Sequence, residues 1–196
     1  MHPTSTETRP SVPREGTRLR QMRKKGDIAG LVRELENPHE EHGKVRSIQV
    51  TSTVRGRAAH ELSKLRAADV AKPIARLLDD AEPTVRCYAA VALGRLGDDR
   101  AGERLVAALE DPEETVLSCA VRSLGQLRFR PAVTPLVPLL DHPNVRLRIM
   151  AATALCRIGD KSATSSLKDA MRKSSWHHPV TSARMAWAML TLRLTR

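Results

Sequence analysis

The residues able to do chemistry in this chain are few. "HEEH", His39 to His42, sets two histidines three apart around two carboxylates. On a helix the two imidazoles would share a face, but metal-binding pairs that enclose a general base follow His-Glu-x-x-His, which this stretch does not. It follows Pro38 directly and reads as a solvated polar turn. In "WHHP", Trp176 to Pro179, His177 and His178 are adjacent and would diverge on a helix, so the stretch reads as a loop. A His-Glu dipeptide stands at His60-Glu61, inside an Ala- and Leu-rich helical pattern. Cys87, Cys119 and Cys156 occur in similar surroundings, and their odd number predicts reduced, buried thiols in a cytoplasmic protein. No catalytic triad, phosphate loop or spaced ligand set is present, so the reading assigns no catalytic, cofactor-binding or metal residue and points to a non-enzymatic role.

Residues like these need elements to position them, and composition narrows what those are. The chain has 196 residues, 41% hydrophobic and only 2% aromatic, so its core must be built from Leu, Val and Ala. Small aliphatic cores suit closely packed helices better than sheets. No apolar run approaches the ~18 residues of a membrane span, and "MHPTSTETRPSVPREG" lacks the apolar region of a signal peptide. The net charge of +11 sits at the two ends. Residues 1–25 carry seven basic and two acidic side chains, residues 161–196 seven and one, and residues 26–160 nineteen of each.

The middle of the chain repeats. Leu62, Leu93, Leu124 and Leu155 stand 31 apart, as do Leu65, Leu96, Leu127 and Ile158; Ile74, Leu105, Leu136 and Leu167; and Leu78, Leu109, Leu140 and Met171. Small residues follow the same period at Ala58, Ala89, Ala120 and Ala151. Several columns with one period of this length signal stacked repeats. Each unit reads as two helices. Val85, Ala89, Leu93 and Leu96 make the apolar face of the first, which stops near Gly97. Asp98 or Asp99 caps the second, whose face is Ala101, Leu105 and Leu109, and Pro112 resets the chain. The predicted fold is all-α, a right-handed α-solenoid of helix pairs, since one pair cannot bury its apolar face alone. The organisation expected is a disordered arm over 1–16, a basic segment and capping helix over 17–42, four repeats over 43–175 and a C-terminal capping helix over 176–196. The extra residues "HEEHGKVRSIQV" are expected to prolong the first helix of the first repeat.

The pattern seen in "VRCYAAVALGRLGDDRAGERLVAALEDP", Val85 to Pro112, resembles the HEAT-like repeats of phycobilisome (bilin) lyases and of deoxyhypusine hydroxylase. The resemblance implies an α-solenoid, armadillo-like in kind, and covers residues 26–175. It also implies where the hydroxylase would hold its di-iron centre, on His-Glu pairs of the first helices. The matching positions here are Gly56-Arg57, Cys87-Tyr88, Ser118-Cys119 and Ile149-Met150, which are no hard-metal ligand set. His60-Glu61 falls three residues out of register. The lyase relatives imply a bilin-lyase-like accessory enzyme as one alternative.

The reading therefore favours a cytoplasmic scaffold or adaptor that binds a protein partner on its concave face, lined by the second helices. The groove residues expected are Lys72, Arg76, Glu103, Val106, Ala107, Val137, Pro138 and Arg172. Pro138 has no amide donor and should kink its helix. The central groove lacks the repeated Lys and Arg of a phosphate track, which leaves the basic arm Arg9–Lys25 as the candidate for nucleic acid. Trp187, Met185, Met189 and Leu192 cannot all face inward, so the C-terminal helix is a candidate contact between copies of the chain. Two charge columns complete the pattern. Arg55, Arg86 and Arg148, with Leu117 as the exception, are expected to pair with Glu36, Asp79, Glu110 and Asp141.

Overall fold

The structure, a computed structural model, describes residues 15–36, 48–65 and 70–172. Residues 1–14, His39–His42, "WHHP" and the expected C-terminal helix lie outside the described residues. The described elements are helical, and no strand occurs among them. They run α1 (Glu15–Lys24), α2 (Ile28–Glu36), α3 (Ile48–Ser63), α4 (Ala71–Arg76), α5 (Pro83–Leu96), α6 (Gly102–Ala107), α7 (Glu114–Leu127), α8 (Val133–Leu136), α9 (Val145–Ile158) and α10 (Ala163–Arg172). The basic segment falls on α1 and the turn after it, and α2 follows. α3 begins at Ile48, one turn upstream of the register in which α5 begins at Pro83.

The 31-residue columns make the interior. Leu62, Leu93, Leu124 and Leu155 are fully buried, and so are Ile74, Leu105 and Leu136. Leu65, Leu96 and Leu127 are half-buried and pack against the core, while Ile158 in the same column is buried. First helices end where the backbone turns left-handed, at Gly97 and Gly159 with φ 73°. The same column holds Arg128 at φ 56°, a conformation that disfavours a side chain. The next segment is then capped by Asp98, which accepts from the Arg100 amide at 3.0 Å, and by Asp160, which accepts from the Ser162 amide at 2.9 Å.

First helices pack on one another, α3 on α5 on α7 on α9. They approach backbone to backbone at small residues. A methyl group added at Gly125 would sit 2.8 Å from the Ala154 Cα, and one at Gly94 would sit 2.6 Å from the Ser123 Cβ. Second helices are short. α4, α6 and α8 each give way to a 3-10 turn, at Leu77–Asp79, Ala108–Glu110 and Pro138–Asp141. These tighter turns bring Leu78, Leu109 and Leu140 into the core. α8 is the shortest, and the break falls at Val137, just before Pro138.

Two expectations are corrected. Arg55 and Arg86 pair not with Asp79 and Glu110 but with the residue after each acid. Arg86 grips Asp111 through Nε at 2.7 Å and Nη2 at 2.9 Å, and donates to the Asp80 and Ala81 carbonyls. Arg55 pairs with Asp80 and donates to the Leu35 carbonyl at 3.1 Å. Arg148 donates to the carbonyls of His142 and Pro143. The reason is local: Asp79, Glu110 and Asp141 are exposed, whereas Asp80 and Asp111 turn back to accept the amides of Glu82 and Glu113. Where Leu117 replaces the arginine, His142 replaces the acid 25 residues on. The second correction concerns the thiols. Cys87 and Cys119 form a disulfide between α5 and α7, with Cα atoms 5.6 Å apart. Their separation of 32 is one more than the repeat, so the bond runs diagonally across helices already held close by Gly94. Cys156 is buried and outside any disulfide.

Candidate functional site

The eight expected groove residues fall on one layer, that of the second helices and their turns. Lys72, Arg76, Glu103, Ala107, Pro138 and Arg172 are exposed. Val106 and Val137 are half-buried and pack against the core, so the apolar strip is narrower than the sequence suggests. The cations of this layer carry local partners. Arg76 lies 3.8 Å from Glu36 and Arg172 lies 3.5 Å from Asp169, all well exposed. Sequence reasoning missed Arg104, which bonds the Ala75 carbonyl at 3.3 Å and pairs with Asp79 on the preceding turn. The signal was present, since Arg104 follows Asp79 by 25 residues, as Asp111 follows Arg86.

His60 and Glu61 are both engaged by neighbouring cations. His60 Nδ1 lies 2.7 Å from Arg95, and Glu61 is gripped by Arg23 Nε at 2.6 Å and by Lys64 Nζ at 2.9 Å. Burial first, then the charges of Lys64 and Arg95, hold the His60 imidazole below its usual pKa, with Glu61 opposing. Burial alone would raise the Glu61 carboxyl, but the hydrogen bonds from Lys64 and Arg23 outweigh it and the net shift is downward. Among the described residues no group of three or more His, Cys, Asp or Glu could hold a metal ion. The basic arm is divided by the structure. Arg18 pairs with Glu34 at 3.0 Å and Arg23 with Glu61, while Arg20, Lys24 and Lys25 are exposed.

Two clefts open on the side of the first helices. One, of about 350 Å³, lies between α1, α3 and α5 and is lined by Arg20, Arg57, His60, Glu61, Lys64 and Tyr88. The other, also about 350 Å³, surrounds the disulfide and includes Arg122, Arg146 and Met150. Arg122 Nη2 lies 3.9 Å from the Cys119 sulfur. Sequence reasoning missed both, because their residues come from neighbouring repeats.

The repeating helix pairs can now be set against known proteins. The family described as HEAT repeats matches residues 51–118 and 102–188. The chain belongs to the HEAT repeats family. Among curated proteins a search found no significant match. The HEAT repeats here superpose on one chain from the complex of CpcE and CpcF of phycocyanin lyase from Nostoc sp. PCC7120 with a TM-score of 0.61 and 16% identity, covering 95% of this chain and 91% of that one. A designed armadillo repeat protein in complex with the peptide (KR)4 gives 0.63 and 19%, covering 91% and 86%. An engineered protein gives 0.57 and 20%, covering 91% and 85%. At these identities the likeness is one of fold. No described helix is long and apolar enough to cross a membrane.

Proposed function

We propose that this chain is a non-catalytic HEAT-repeat scaffold or adaptor that binds a protein partner through the surface of its second helices. The supporting observation is the alignment of Lys72, Arg76, Glu103, Ala107, Pro138 and Arg172 on successive second helices, exposed along one layer, with Val106 and Val137 half-buried between them. Such a strip, mildly apolar at its centre and charged at its ends, has the composition of a protein interface of modest size. The solved armadillo protein holding a peptide supports a repeat stack of this kind as a recognition surface. The test uses exposed positions, so that folding is kept. A variant carrying Ala107→Glu and Pro138→Glu is compared with the unaltered chain by affinity purification from the native host and mass spectrometry. Loss of specific partners from the variant supports the reading, and an unchanged partner set refutes it.

One observation favours a second reading, a bilin-lyase-like accessory role. The lyase chain aligns along nearly its whole length with this one. That reading requires the purified chain to bind a linear tetrapyrrole, seen as a change in its visible absorption spectrum, and an unshifted spectrum removes it.

A further inference from the structure

We propose that the cleft between α1, α3 and α5 is a binding site for an oligophosphate, a di- or triphosphate group. α3 presents Arg57, His60 and Glu61 at spacings of 3 and 1, and the turn that ends it adds Lys64. Arg20 adds a guanidinium from α1, and Arg95 adds another from α5 through its contact with His60. The Tyr88 ring lies so close to α3 that a methyl group at Gly56 would collide with it, which seats the phenol in the cleft wall.

Among the described residues the charge in this cleft is unbalanced. Glu61 is the acid lining it, and it is already engaged by Arg23 and Lys64. Among the described residues no carboxylate pairs with Arg20, Arg57 or Arg95. His60 sits among these cations with its pKa pushed down, so the neutral ring accepts from Arg95 and adds no charge of its own. An anion that satisfies this site offers acceptor oxygens to the guanidinium groups of Arg20 and Arg57, on two separate helices, with the Lys64 ammonium beside them. An oligophosphate does so, with several charged oxygens along a short chain that guanidinium forks match well. The cleft's volume of about 350 Å³ suits a small molecule. A nucleic-acid strand would need a longer track and stacking rings, and Tyr88 is the chain's single tyrosine.

The test is isothermal titration of the full chain with inorganic tripolyphosphate and, separately, with ATP. The unaltered protein is expected to bind tripolyphosphate with a Kd below about 1 mM at low salt, and a variant carrying Arg20→Gln and Arg57→Gln to bind about tenfold or more weakly. Both replaced arginines lack a carboxylate partner among the described residues, and an unchanged circular dichroism spectrum confirms that the variant is folded. Lys161→Gln, exposed on the turn between α9 and α10, is expected to leave binding unaltered. Equal affinity for the two probes identifies the phosphate chain as the ligand. Tighter ATP binding that is lost in Tyr88→Ala identifies a nucleotide. Absence of binding at about 5 mM, or binding indifferent to the double substitution, overturns the proposal.

Discussion

The first and second helices of each repeat share a core but do different work. The first helices α3, α5, α7 and α9 are long and meet at small residues, and the Cys87–Cys119 bond cross-links α5 to α7. The second helices α4, α6 and α8 span only four to six residues each before their 3-10 turns. Charge divides along the same line. The first helices carry Arg55, Arg57, Arg86, Arg95, Arg122, Arg146, Arg148 and Arg157 against only Glu61 and Glu114. The second helices and their 3-10 turns mix acids and bases, as in Asp79, Glu103, Arg104 and Glu110. One layer holds the stack together and is basic. The other is loosely joined, electrically balanced, and free to vary its outward side chains. Shape and cohesion thus depend on the first layer, and substitutions in the two layers should have unequal effects.

The largest inequality is expected at the close approach of α7 and α9. In Gly125→Leu the first added carbon already meets the Ala154 backbone, which cannot swing aside as a side-chain end would. The cost should reach about 3 kcal/mol, the top of the overpacking range, read as a lower urea midpoint. Ala107→Leu, exposed on the second layer, should shift stability by less than about 0.5 kcal/mol. Equal effects would show that the second layer is as tightly joined as the first.

Next comes the disulfide. It closes a loop of 32 residues, and in the chain-entropy account its reduction should cost about 2–4 kcal/mol. Thermal unfolding with and without dithiothreitol measures this, with Cys87→Ser as a control in which the reductant has no effect. A midpoint that the reductant leaves unmoved would mean that the two sulfurs are thiols, and the bond would no longer distinguish the layers.

The periodic leucines made the fold legible, because a constant spacing of one aliphatic type has few physical explanations besides stacked helix pairs. The corrected features fall where neighbouring repeats meet. Arg86 and Asp111 stand 25 residues apart, and no periodicity of either helix relates them. Cys87 and Cys119 fall in adjacent columns, so column-by-column comparison never pairs them. The basic cleft was hidden for a similar reason. Residues 26–160 balance to zero in linear count because basic first helices alternate with acid-containing turns and second helices, and only stacking separates them in space. Val106 and Val137 look outward by helical spacing, but the 3-10 turns that follow α6 and α8 draw them half inward.

The finest comparison sets two arginine–aspartate pairs against each other. Arg86 and Asp111, at the first-helix joint, expose only 12% and 8% of their side chains, and the guanidinium grips both carboxylate oxygens. Arg104 and Asp79, on the second layer, expose 46% and 71%. Removing one partner of the sheltered pair, as in Arg86→Met, leaves Asp111 half-buried without its counter-ion and should cost about 1–3 kcal/mol. Arg104→Met should cost below about 1 kcal/mol and vanish into the noise in about 0.5 M salt, where exposed charges are screened. The pH dependence separates the pairs further. Hydrogen bonds from Arg86, against burial and aided by the Glu113 amide, hold the Asp111 carboxyl below its usual pKa. A depressed carboxyl contributes stability that is complete above its unfolded pKa of about 3.9 and is lost as pH falls through the lower folded value. Urea midpoints of the unaltered chain and of Asp111→Asn should therefore differ most near neutrality and converge below about pH 4. A gap that persists into acid would mean that the aspartate acts through shape and backbone capping, and that charge contributes no more to the first-helix joint than to the exposed layer.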